Sequence, residues 1–283
     1  MNIKLIIKNT VLYRMLHAIW ICLNQIPVRI SGFFRSKGIF LNDNYKELLK
    51  YKNRHKGERC FLIANGPSLK PEDLELLKDE ICFGCNKIYY LYDKTTWRPN
   101  YYCILDIDYI YRYQDEIFKN IDTTIFTNDV VAKNIKKENK RDKKIVYAKQ
   151  IIYSDFKAYP NLMNYTYATK QGTIMSFCMA VAMYMGFKEI YILGMDNNST
   201  TSGNHFVGYK EDESLTDNLE KRIKQNGWDK NHWKSQTEYE MNEFRKYADT
   251  HGISITNVTR GGCLEIFNRQ KLEEVVNAKK NNN

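Results

Sequence analysis

The sequence predicts an α/β protein built on a doubly wound sheet, and three observations carry that expectation. Short apolar runs of strand length alternate with amphipathic stretches of helix length from residue 59 to residue 258. Two of the apolar runs stop abruptly at small polar turns, Asn65-Gly66-Pro67-Ser68 and Gly194-Met195-Asp196, as strands do at the carboxyl edge of such a sheet. At 283 residues, 43% of them hydrophobic and only five of them Pro, the chain can bury one large core with a small appendage.

Taken in order, the first 42 residues stand apart. No acidic residue precedes Asp43, whereas Lys4, Lys8, Arg14, Arg29, Arg35 and Lys37 lie there among Ile7, Leu12, Leu16, Ile19, Trp20 and Leu23. The charge-free run 15–28 is shorter than the ~20 residues of a membrane span and carries His17, Asn24, Gln25 and Pro27. No small-residue cleavage site follows it, which argues against a signal peptide. The pattern predicts a basic amphipathic helix lying on an anionic membrane surface, with packing on the protein's own surface or on a partner as the alternative. Nucleic acid is not an expected partner, because the basic residues alternate with large aliphatic ones instead of forming a binding face. Residues 32–38, bounded by glycines, read as a hinge, and 43–57 as a charged linker helix.

The body, 58–276, predicts strands over 59–64, 81–86, 101–106, 123–127, 144–148, 189–193 and 253–258. Helices are expected over 71–78, 109–119, 130–137, 173–185 and 234–250. Apolar residues cover every face of 173–185, so that helix should be buried, with Gly186 closing it. Residues 197–233 form a long excursion, read as a lid over the ligand edge, and 277–283 read as a disordered tail. The seven Cys lie scattered, Cys82 and Cys85 being the only close pair, with no second pair to complete a zinc site. A reduced, cytoplasmic protein follows. No Walker A loop and no GxGxxG fingerprint is present, which excludes the common mononucleotide loop and a dehydrogenase.

Five stretches converge on one sheet edge: 65–68, 85–86, 105–108, 194–196 and 257–262. Two His-bearing segments, Asn204-His205-Phe206 and Asn231-His232-Trp233, lie in or beside the excursion. An imidazole at such an edge is suited to take a proton from a hydroxyl, and the alternative for each is a loop His bonded locally. Arg260 in Thr259-Arg260-Gly261-Gly262 is a candidate clamp for a carboxylate or phosphate, or else a surface Arg in a turn.

Ala64-Asn65-Gly66-Pro67-Ser68-Leu69, Gly84-Cys85-Asn86-Lys87, the unit from Met185 through Gly194-Met195-Asp196, and the run from Asn257 to Phe267 resemble bacterial family 42 sialyltransferases. They also resemble the wider MptE-like (DUF115) set of glycan-cluster proteins, over roughly residues 58–268. The resemblance implies a Rossmann-like, GT-A-related domain with a lid, and inverting transfer of sialic acid or a related nonulosonic acid from a CMP donor. It places Asn65, Gly66, Pro67 and Ser68 at the donor phosphate and sugar, and Asn86 at the nucleotide. Asp106, Thr173, Asp196 and Arg260 complete the candidate donor site. Here Lys170-Gln171-Gly172-Thr173 stands where those enzymes have Thr-Ser-Gly. His232 matches the family's base by position, and His205 is its competitor.

Sialyltransferases of this type need no metal, yet Asp106-x-Asp108 has the form of a Mg²⁺ or Mn²⁺ holder. A single Asp contacting a ribose or sugar hydroxyl is the alternative. The sequence thus predicts a glycosyltransferase with a nucleotide-sugar donor and a glycan or lipid-linked acceptor, peripheral on the inner face of a bacterial plasma membrane. It is compatible with a homo-oligomer. The alternatives are an ATP- and Mg²⁺-dependent pyrophosphokinase of the MptE type and a non-catalytic sugar-nucleotide-binding subunit.

Overall fold

In the computed structural model, residues 11–141, 143–152, 156–168, 172–198, 205–209 and 232–280 are described. Eight parallel strands form the central sheet: β1 (Arg59–Ile63), β2 (Cys82–Cys85), β3 (Tyr101–Cys103), β4 (Thr124–Asn128), β5 (Ile145–Ala148), β8 (Glu189–Leu193), β9 (Ser254–Asn257) and β10 (Asn268–Arg269). Their order is β10-β9-β8-β1-β2-β3-β4-β5, so the chain winds outward from β1 in one direction and then returns to β8 on its other flank. A separate two-stranded sheet pairs β6 (Gln150–Ile152) with β7 (Thr166–Ala168).

Strand alternation builds a core on each face. Cys60 and Leu62 of β1 join α2 (Asp43–Leu49), α7 (Ile174–Tyr184) and α8 (His232–His251). Phe61 and Ile63 join α3 (Pro71–Glu75), α4 (Ile107–Asn120), α5 (Asp129–Asn134) and α9 (Leu272–Lys280). A further short helix, α6 (Lys137–Lys140), follows α5. Residues 175–184 of α7 are all buried, as its all-round apolar sequence requires, and each such aliphatic side chain contributes about 1.5–3 kcal/mol.

Strand expectations hold within one to three residues at each end, and the differences have local causes. The strand expected over 101–106 stops at Cys103, because Asp106 turns the chain as the N-cap of α4. A 3₁₀ helix over Asn86–Leu91 follows β2 directly, and neither it nor β10 was legible from periodicity. The expected hinge at 32–38 is helical through Ser36, within α1 (Val11–Ser36), and only Gly38 breaks it. The tail expected to be disordered from residue 277 is helical to Lys280, because Leu272, Val275 and Val276 of α9 are buried against the sheet. Residues 281–283 lie outside the described residues.

Cys82 and Cys85 lie inside β2 and are fully buried. Burial pushes the Cys82 thiol up to about 12, while a hydrogen bond to Cys178 and burial together raise Cys85. Neither thiol is disposed to redox chemistry.

Candidate active site at the strand crossover

A sheet that winds both ways from β1 leaves a crevice where its two halves diverge, between the carboxyl ends of β1 and β8. The turns Asn65–Ser68 and Gly194–Asp196 meet in that crevice. The ladder between the strands runs past the sheet, with the Ala64 and Gly66 amides donating to Leu193 and Gly194 carbonyls at 2.8 Å each. Asp196 is 5% exposed, and its Oδ2 accepts from the Ser68 hydroxyl at 2.9 Å and the Ser68 amide at 3.3 Å. Gly66 is required for this approach: a Cβ there would lie 2.0 Å from Asp196 Oδ2 and 2.4 Å from the Gly194 carbonyl.

The stretch 257–263 buttresses this turn. Buried Asn257 donates to the Leu264 carbonyl and accepts from the Thr259 amide. Thr259 Oγ1 accepts from the Met195 amide at 3.1 Å, and the Cys263 amide donates to the Asp196 carbonyl at 2.7 Å.

Asn65 stands at the crossover itself. Its Nδ2 donates to the Cys85 carbonyl at 3.1 Å, which fixes the amide orientation, and its buried Oδ1 has no hydrogen-bond partner among the described residues. Leaving a buried acceptor unmet costs about 1–3 kcal/mol, a penalty that a ligand donor would remove. Asn86, one strand over, adopts a left-handed backbone (φ 48°) as β2 gives way to the 3₁₀ helix, and Tyr102 donates its hydroxyl to the Asn86 carbonyl.

Residues 205–209 cross this edge. The Phe206 amide donates to the Asn65 carbonyl at 2.9 Å, and the Phe206 ring is buried. His205 stacks on Tyr209 with ring centroids 3.9 Å apart, and Tyr209 meets Tyr109 hydroxyl to hydroxyl at 2.7 Å. Beneath them Lys87, only 1% exposed, places its Nζ 4.1 Å from the Tyr113 ring centre and 5.3–5.6 Å from those of Tyr90, Tyr109 and Tyr209. Such cation–π contacts strengthen where water is excluded. Residues 199–204 and 210–231 of the excursion expected to form a lid, including Asn204 and Asn231, lie outside the described residues.

Two helix N-termini stand at this edge, because α7 and α8 run back along strands that end here. Thr173 caps α7, accepting from the Met175 amide at 3.3 Å. Fully buried Glu240 of α8 accepts from the Ser176 hydroxyl and from the Thr173 amide at 3.4 Å, placing a carboxylate on the positive end of α7. His232 is the first residue of α8, and Glu238 further along it accepts from Asn197, which follows Asp196 directly.

Two expected site residues are engaged elsewhere. Asp106 Oδ1 accepts from the amides of Asp108 and Tyr109 at 2.8 and 3.3 Å as the N-cap of α4. Asp108 follows in the first turn of α4. Among the described residues no group of three or more His, Cys, Asp or Glu is arranged to hold a metal ion.

Arg260 forms a two-pronged pair with Asp73 at 2.6 and 3.1 Å and a further contact with Glu273 at 3.2 Å. It locks β9's end to α3 and α9, because Asp73, 2% exposed, needs a cation beside it. Arg260→Ala is therefore expected to lower stability by about 1–3 kcal/mol, read from urea unfolding, with ligand affinity unchanged.

Lys87 and Glu240 are residues that sequence reasoning passed over. A Lys within the strand-to-helix junction Gly84-Cys85-Asn86-Lys87, next to Tyr89-Tyr90, was the available signal for the first. Glu240 carried none, since its burial depends on the packing of α8 on α7.

The family described as 6-hydroxymethylpterin diphosphokinase MptE-like matches residues 39–201, more than half of the chain. No curated protein matches the chain. Among solved structures, the sialyltransferase CstII from Campylobacter jejuni in complex with cytidine-5'-monophosphate is similar at 18% identity, over 76% of this chain and 85% of that one, with a TM-score of 0.44. The same enzyme with CMP-3FNeuAc gives 18% identity over 75% and 85%, with a TM-score of 0.43. A variant of CST-II with CMP gives 17% over 75% and 86%, with a TM-score of 0.46.

Proposed function

The chain belongs to the MptE-like family, and on that premise we propose that it is a glycosyltransferase working at the β1/β8 crevice. It moves sialic acid or a related nonulosonic acid from a CMP donor onto a cell-surface glycan or lipid-linked acceptor, with inversion. The observation that carries this reading is the buried, unmet Oδ1 of Asn65 at the crossover, beside the Ser68–Asp196 pair. A nucleotide brings hydroxyl and amino donors to such an acceptor, and crossover crevices are where nucleotides bind in doubly wound sheets.

In this scheme Asn65, Ser68 and Asn86 hold the donor, and they and the nearby tyrosines favour the charge developing on the departing phosphate. His232 removes the proton of the acceptor hydroxyl, whose oxygen attacks the anomeric carbon as the bond to the phosphate breaks. No cofactor is required. The test is release of CMP from CMP-sialic acid with a glycan or glycolipid acceptor, with and without EDTA. Acceptor-dependent, EDTA-insensitive release is the expected result, and no release with any acceptor would count against the reading.

The family's description favours a second reading, ATP- and Mg²⁺-dependent diphosphoryl transfer. It would need Asp106 and Asp108 on the metal. The engagement of Asp106 Oδ1 by two backbone amides supports the first reading over the second.

A further inference from the structure

Helix α1 is amphipathic, but it packs the wrong way round for a globular core. Gln25, Gly32 and Arg35 face the body. Arg35 donates from Nε to the Met163 carbonyl at 2.7 Å and from Nη2 to the Asn164 carbonyl at 2.6 Å, and its guanidinium lies 4.2 Å from the Tyr45 ring centre. Gln25 is buried on the same side, and Arg29 reaches over Tyr165. Gly32 comes so close that a Cβ would lie 1.6 Å from Asn164 Oδ1.

The apolar side is turned outward. Leu12, Leu16, Ile19, Leu23, Ile26 and Ile30 recur at alternating steps of four and three and are 67, 57, 52, 61, 48 and 52% exposed, and Phe33 continues the stripe at 58%. Among soluble proteins a contiguous apolar face of this length marks an interaction surface. No helix of the described residues is long and apolar enough to cross a membrane.

Charge and composition say what covers it. A second copy of the helix would bring the same Arg14, Arg29 and Arg35 and no acid to pair with them. A paired coil also wants charged residues flanking its seam, whereas the flanking positions here are Tyr13, Trp20, Pro27 and Phe34 on one side and Met15, Cys22 and Arg29 on the other. Basic residues with aromatic flanks are the composition of a helix in the interface of an anionic bilayer.

We propose that α1 lies in the plane of an anionic leaflet with its Leu12–Phe33 stripe immersed, and that it holds the crevice edge of the sheet toward the membrane. The second part follows from where α1 is anchored. Residues 163–165 lie beyond the carboxyl end of β5, and the segment after α1 is tied to β5 through Asn42 and Asn44, both bonded to Tyr147. That is the edge that carries Asn65 and Asp196. An acceptor borne on lipid would thus lie on the same side as the site. The membrane contact itself does not depend on which reaction the crevice performs.

The test is flotation of the full chain with vesicles of phosphatidylglycerol and phosphatidylcholine, against phosphatidylcholine alone, for the natural chain and a Leu16→Glu/Leu23→Glu/Ile30→Glu variant. The natural chain should float with the anionic vesicles, weakly with the neutral ones. The variant should lose bound fraction by roughly tenfold or more, with an unchanged melting temperature because these side chains face solvent. Failure to float with either vesicle would overturn the proposal. So would a lipid-free dimer of the natural chain that the same substitutions convert to monomer, which would make the stripe a contact between copies.

Discussion

Gly66→Ala is expected to abolish nucleotide binding and to lower stability by about 1–3 kcal/mol. The reason is local. The added carbon would meet Asp196 Oδ2 at 2.0 Å and the Gly194 carbonyl at 2.4 Å, and both belong to the turn that the 257–263 stretch pins in place. Backbone and a buried carboxylate cannot yield as the end of a flexible side chain can, so the β1 turn must move away from β8. Ser68→Ala, which deletes one hydrogen bond to Asp196 without adding volume, should cost less stability, about 0.5–1.5 kcal/mol. Urea unfolding and calorimetric titration with CMP check both. A Gly66→Ala protein that unfolds like the natural chain and still binds nucleotide would mean that β1 and β8 do not meet as described.

His232→Ala should lower turnover about 10²- to 10⁴-fold, the range for loss of a positioned base, with donor affinity retained. His205→Ala should act differently. His205 stacks on Tyr209 in the segment that crosses the edge and bonds to Asn65, so its loss should weaken donor binding more than the chemical step. Steady-state kinetics with separate donor titrations distinguish the two. If both variants turn over at the natural rate, neither imidazole is the base. Binding without turnover in the natural chain itself would point to a sugar-nucleotide-binding subunit.

The sheet was legible, β10 apart, because its other strands are short apolar runs, and parallel strands buried on both faces carry no other signature. The site's floor was legible for the same reason: Asn65, Ser68 and Asp196 lie at strand ends that topology brings together. The partners of Arg260 and Asp106 were not legible, because a side chain's charge is visible in sequence and its partner is not. Asp73 lies 187 residues from Arg260, and an Asp that opens a helix resembles an Asp that holds a metal until the cap bonds are seen. Helix α1 shows a third limit. Its periodicity gave an apolar face, but only Gly32 against Asn164 and Arg35 against Met163 reveal that this face points away from the body.

The most direct test of the central claim is the thermal stability of the purified protein with CMP, CDP, UDP, GDP and ATP, each with and without Mg²⁺. A ligand that binds only the folded state adds about 2.7 kcal/mol at ~100-fold excess over its Kd, a shift of several degrees. The account predicts stabilisation by CMP that is indifferent to Mg²⁺ and lost in Gly66→Ala. Stabilisation confined to ATP with Mg²⁺ would contradict it and assign the crevice to diphosphoryl transfer.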